Sequence, residues 1–118
     1  MSKRTLCGLR THRRLWGFNQ TELATLLGVR GADQISRLES GERTPSLEVA
    51  LACELLFDLP PDTLFAQVRQ KVEELLIRRV YAMHERLSKE TSAAAQRKRE
   101  LLKSCLKRVV INIKKDKL

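Results

Sequence analysis

An all-helical chain in two unlike parts is predicted, and three observations predict it. Apolar residues recur at three- and four-residue steps through most of the 118 residues, the period that lines one face of an α-helix. All five glycines (8, 17, 28, 31, 41) and all three prolines (45, 60, 61) fall in the first 61 residues. That part is therefore cut into short helices, and the remainder has no such punctuation. Charge divides at the same place. Residues 1–60 carry eight Lys/Arg against seven Asp/Glu and residues 61–118 fifteen against seven, which is +1 and +8 of the total +9. The length suits one domain, or a small domain with an appendage, and not two full cores.

The elements follow in order. Leu6, Leu9, Leu15 and Trp16 fit the inner stripe of a first helix, which Gly17 ends, glycine accepting a left-handed backbone at little cost. In FNQTELATLLG, Asn19 is an N-cap and Glu22, three residues on, closes a capping box. Leu23, Ala24 and Leu27 form the buried stripe of this second helix before Gly28 stops it. Val29 enters the core, a turn follows, and Ile35 and Leu38 anchor a third helix that stops at Gly41. Pro45 opens a fourth through SLEVALACELLF, with Leu47, Ala50, Leu51, Leu55 and Leu56 available to its buried side and Cys53 as core filler. Pro60 and Pro61 end that helix and start the next.

A short helix, a turn and a second short helix with an outward polar face make a helix-turn-helix pattern. The runs LRTHRRLWGFNQTELATLLGV, ISRLESGERTPS and LPPDTLF closely resemble the phage Cro and repressor type of helix-turn-helix domain, the XRE family, over roughly residues 5–66. The match joins Arg13, Gln20, LATLLG at 23–28, Ile35, Leu38, Glu39, Gly41 and Pro45 in one order. The resemblance implies a lambda-repressor-like domain of five helices at residues 1–66. One departure stands out: from Gly28 to Ile35 is seven residues where the family commonly has six, so the turn GVRGAD is one longer, with Gly31 absorbing the addition.

Such a helix lies in the major groove, about 12 Å wide, where each base pair shows its own pattern of donors, acceptors and methyl groups. With Ile35 inward, Ala32, Asp33, Gln34, Ser36 and Arg37 lie on or beside the exposed face and are the expected base readers. Arg37 is the best placed chemically, because its planar fork donates two hydrogen bonds to guanine. Asp33 can accept from a cytosine amino group, or pair with Arg37 four residues on. Gln20 at the start of the second helix, Arg30 in the turn and Arg43 past the third helix are expected on phosphate. The resemblance implies that Arg13 and Glu39 form a structural ion pair between the first and third helices.

Beyond Pro61, Phe65, Val68, Val72, Leu76, Val80, Met83 and Leu87 step along one face of a continuous helix over 62–88, about 40 Å long at 1.5 Å per residue. SKETS at 88–92 offers a break and restart, and Leu101, Leu102, Cys105, Leu106 and Val109 give a second stripe. An antiparallel pair is expected over 67–118, with Leu76, Val80, Met83 and Leu87 as a dimerisation strip, because an exposed apolar strip of that length is seldom left bare. Val109, Ile111 and Ile113 alternate as in a strand, so 109–113 fits either helix or strand.

The expected function is a sequence-specific, DNA-binding regulator, a homodimeric repressor reading double-stranded DNA with helix 32–39. The alternatives are an antitoxin whose C-terminal tail binds a toxin protein, and an adaptor that uses the fold without reading DNA. The basic balance agrees with a polyanionic partner. Three cysteines, 7, 53 and 105, in no metal-ligand spacing encode neither zinc nor a disulfide framework. No cofactor is expected. His12 and His84 are isolated, no nucleophile–base set or phosphate loop is visible, and no enzyme is expected. No stretch approaches the roughly 20 apolar residues of a membrane span, and the start MSKRTLCGLRTHRR lacks the apolar core of a signal peptide. A cytoplasmic protein with no membrane partner is expected.

Overall fold

The chain turns sharply four times before residue 61, and each turn has a local cause. The computed structural model describes residues 8–117, with side chains up to Ile111. Leu6 and Cys7 of the sequence reading lie outside them. The helices are α1 (Gly8–Leu15), α2 (Gln20–Leu27), α3 (Ala32–Ser40), α4 (Leu47–Phe57), α5 (Pro61–Leu64), α6 (Ala66–Leu87) and α7 (Ala93–Lys117). They group into two compact units, one up to Gln70 and one from Lys71. Among the described residues no helix is long and apolar enough to cross a membrane.

In the first unit α2 is specified at both ends. The Asn19 side chain accepts from the Glu22 N–H at 2.7 Å while Glu22 accepts from the Asn19 N–H at 2.9 Å. Gly28 closes the helix at φ 72°, ψ 26°, a region costly for any residue with a Cβ. The longer turn is taken up by Gly31, which is fully extended and stands as the N-cap of α3. Leu9, Leu23, Ala24, Leu27, Ile35, Leu38, Cys53, Leu64 and Phe65 form the core, with Val29 and Val68 packed against it.

Two helices turn differently from the sequence reading. Leu15 and Trp16 are exposed, at 70% and 65%, and the inner face of α1 is Leu9 and Arg13. α1 is only eight residues long and Trp16 falls in the turn after it, so the slot expected for an apolar side chain is held by an arginine. In α4, Leu47, Leu51, Leu55 and Leu56 are all exposed. The helix packs on α2 and α5 through Cys53, with Val49, Ala50, Ala52 and Phe57 beside it, a mostly small-residue face that lets the helix sit close. Pro45 is not inside α4, whose N-cap is Ser46 with its hydroxyl accepting from the Val49 N–H at 3.1 Å.

Gly8 has a packing role. A Cβ there would collide with the backbone carbonyl of Thr63, which no rotamer change can relieve, so α1 and α5 approach through this glycine. Gly8→Ala is expected to cost about 1–3 kcal/mol, the usual penalty of overpacking against rigid neighbours, read as a lowered midpoint in thermal unfolding.

The expected continuous helix over 62–88 is broken at Phe65 (φ −128°, ψ 56°) into α5 and α6. Among the described residues of the second unit Val80, Leu87 and Ala95 are the buried apolar ones, and Glu73 is buried too. Glu73, Val80 and Leu87 are seven apart and so share one edge of α6. The restart is at SKETS as expected: Ser92 caps α7, accepting from the Ala95 N–H at 3.1 Å. Arg99 of α7 donates to the carbonyls of Leu87 and Glu90, which fastens the start of α7 to the end of α6. Leu102, Cys105, Leu106 and Val109 are half-buried, but Leu101 is exposed. Residues 109–113 are helix, within α7: the run continues from the preceding helical turns, and no strand exists among the described residues to pair with it.

Candidate nucleic-acid interface

The third helix is fixed from beneath by a buried charge network. Arg13 donates from Nε to Oε2 of Glu39 at 2.5 Å and from Nη2 to Oε1 at 3.2 Å, and from Nη1 to the Phe18 carbonyl at 2.9 Å. The Glu39 side chain is fully buried. Two more donors reach it: Gln20 Nε2 at 3.1 Å and Arg10 Nε at 3.4 Å. Burial alone would raise the Glu39 pKa, but the hydrogen bonds from Arg13, Gln20 and Arg10, with the charge of Arg13, outweigh it and hold the carboxyl below its ordinary value. A carboxylate with four donors is well satisfied, and it joins α1, α2 and α3 at one point.

With Ile35, Leu38 and Glu39 turned inward, the rest of α3 faces out. Asp33, Ser36 and Arg37 are exposed, and Ala32 and Gln34 half-buried. Among the described residues no ion pair joins Asp33 to Arg37, so the Arg37 fork has its donors free of that carboxylate. Gly41 (φ 83°) closes the helix, and the Arg43 N–H donates to the Arg37 carbonyl at 3.1 Å, bringing the loop back along α3. Residues 9–64 match the family model described as Helix-turn-helix. They are a helix-turn-helix domain of the Cro/repressor type. No curated protein and no solved structure matches the chain.

At the level of the family, the helix-turn-helix match supports a DNA-binding transcription regulator, and residues 9–64 have a lambda-repressor-like helical fold. In it Arg13 and Glu39 form the buried pair that the family resemblance implied. Sequence reasoning missed two features of its site. Arg10 joins the Glu39 network; the available signal was its position three residues before Arg13, on the same face of α1. The second is a side-chain bond between two residues expected to act separately, one on bases and one on phosphate: Arg43 Nη1 donates to Gln34 Oε1 at 2.8 Å. Gln20, expected on phosphate, spends an amide N–H on Glu39. Arg30 is exposed in the turn.

The strip expected to dimerise is divided. Val80 and Leu87 are buried within the single chain, while Leu76 and Met83 are exposed, together with Val72, Leu75 and Tyr81. Val80 and Leu87 are therefore covered within the chain, and Val72, Leu76 and Met83 line a neighbouring edge of α6 that it leaves open.

Proposed function

We propose that the protein is a homodimeric, sequence-specific repressor that acts in the cytoplasm and reads the major groove with α3. The observation that carries this reading is the division of α3: its apolar and acidic anchors are locked by the core and by Arg13, while Ala32, Asp33, Gln34, Ser36 and Arg37 remain toward solvent. Arg30 and Arg43 take phosphate, the latter with the guanidinium N–H groups that it does not give to Gln34, and Gln20 contributes at the start of α2. Repression requires only occupancy of a promoter, which two recognition helices supply. The class is tested by measuring binding of the pure protein to its own upstream DNA across a range of salt. Binding that is salt-sensitive but indifferent to sequence would overturn the regulator reading.

Arg37→Ala is expected to cost about 1–3 kcal/mol on the preferred site and to flatten preference at one base pair. Arg30→Ala should instead weaken all sequences alike and reduce the salt slope by about one. Competitive binding to sites randomised one position at a time separates the two; an unchanged base preference in the Arg37 variant would refute the assigned register.

The antitoxin alternative draws on the exposed Leu101, Val110 and Ile111 of α7, which a second protein could cover. A small neighbouring gene product that co-purifies and is toxic alone would favour it over the plain repressor.

A further inference from the structure

We propose that Arg43 is a positioning residue that decides which base Gln34 accepts, turning a glutamine suited to adenine into a reader that presents its amide donors and selects guanine. The inference rests on the reading of α3 as the recognition helix. Taken singly, the two residues have separate duties. A glutamine amide pairs with adenine by donating to N7 and accepting from the N6 amino group, and an exposed loop arginine neutralises phosphate.

The structure ties them together. Arg43 Nη1 donates to Gln34 Oε1 at 2.8 Å. The loop that carries Arg43 is itself held: the left-handed Gly41 reverses the chain, the Glu42 N–H donates to the Ser40 hydroxyl at 3.3 Å, and the Arg43 N–H donates to the Arg37 carbonyl at 3.1 Å. Gln34 is half-buried at the edge of the core, beside the fully buried Ile35, so its side chain has less freedom than a wholly exposed one.

The chemistry follows from the sign of the bond. A guanidinium-to-amide hydrogen bond is charge-assisted and stronger than a neutral one. It takes one of the two lone pairs of the oxygen that would accept from adenine, and it sets a cation beside the other, where a second partial positive charge such as the N6 amino hydrogen is repelled. The group that Gln34 then presents best is Nε2–H2, a donor. Guanine presents two acceptors in the major groove, N7 and O6, where adenine presents one acceptor and one donor.

The test uses the full-length protein and competition among sites carrying each of the four bases at each position. The wild type is expected to prefer guanine over adenine by about tenfold or more at one pair. Arg43→Ala should move that pair toward adenine and leave the preferences elsewhere as they were. Gln34→Ala should flatten the same pair, and adding Arg43→Ala to it should change preference no further. Both side chains are off the core, and an unchanged melting midpoint confirms that folding is not the cause. If Gln34→Ala flattens a pair while Arg43→Ala only weakens every sequence alike, the inference fails and the recognition-helix reading stands. If Gln34→Ala leaves the profile unchanged, both fail.

Discussion

Glu39→Ala is expected to lower the unfolding free energy by about 3–5 kcal/mol, the cost of leaving one partner of a buried ion pair without the other. That is a large share of what holds a small domain together. The size follows from the geometry. Arg13 would keep its charge in a nearly closed site with only the Phe18 carbonyl as acceptor, and Gln20 and Arg10 would each lose theirs. Glu39→Gln keeps the shape and one acceptor but not the charge, so it should fall between Ala and wild type. Arg13→Ala should resemble Glu39→Ala. Urea unfolding followed by helical signal gives the comparison, with DNA preference measured under conditions where each variant is folded. Undiminished stability with an altered base preference would contradict the structural role.

The same carboxylate carries a pH dependence. The folded-state pKa of Glu39 lies below its ordinary value, so as pH falls the unfolded chain takes up a proton first. The stabilisation is complete above the ordinary glutamate value of about 4.3 and is lost as pH falls through the lower folded value. Glu39→Gln removes that contribution, so its acid limb should be flatter than that of the wild type.

Leu76→Glu with Met83→Glu is expected to convert a dimer to a monomer and to weaken binding to a full two-fold site by about 10²–10⁴-fold, the usual worth of joining two binding modules. A single helix-turn-helix unit gains useful affinity when two copies are held with recognition helices about 34 Å apart along the duplex. Leu76 and Met83 are 40% and 38% exposed and seven residues apart, with Val72 four before Leu76, so they share one edge of α6 that the single chain leaves open. Such apolar edges on a soluble protein usually mark a partner surface. Point changes are preferable to truncation after Ala66, because Val68 packs on the first core and Arg69 bonds Asp62 at 2.8 Å. Sedimentation gives the assembly state and binding to full and half sites gives the loss. A wild type that is monomeric at micromolar concentration, or a variant that remains dimeric, would refute the assignment.

How much was legible in the sequence differs from helix to helix. In α2 everything was: an N-cap, a capping box, three buried positions and a terminating glycine act within eleven residues of one another, so local physics suffices. In α3 the inward pair Ile35 and Leu38 was equally plain, since polar residues surround them. α4 was the reverse case. LEVALACELLF is apolar on nearly every side, so periodicity has no contrast to work with and cannot say which edge is buried.

The sequence by itself therefore determined the first four helices, both ends of α2, the glycine that closes α3 and the break before α7, because each depends on residues near in the chain. Only the tertiary structure decided which edge of α4 packs, that Arg13 takes the inner face of α1 in place of Leu15, that Val80 and Leu87 are covered within one chain, and that Arg43 holds Gln34. Each of these depends on what lies opposite: a carboxylate 26 residues away for Arg13, a returning loop nine residues away for Gln34, or the close approach of α2 and α5 to the small side of α4. A residue's chemistry is written at its own position, but the partner that uses it is supplied by the fold.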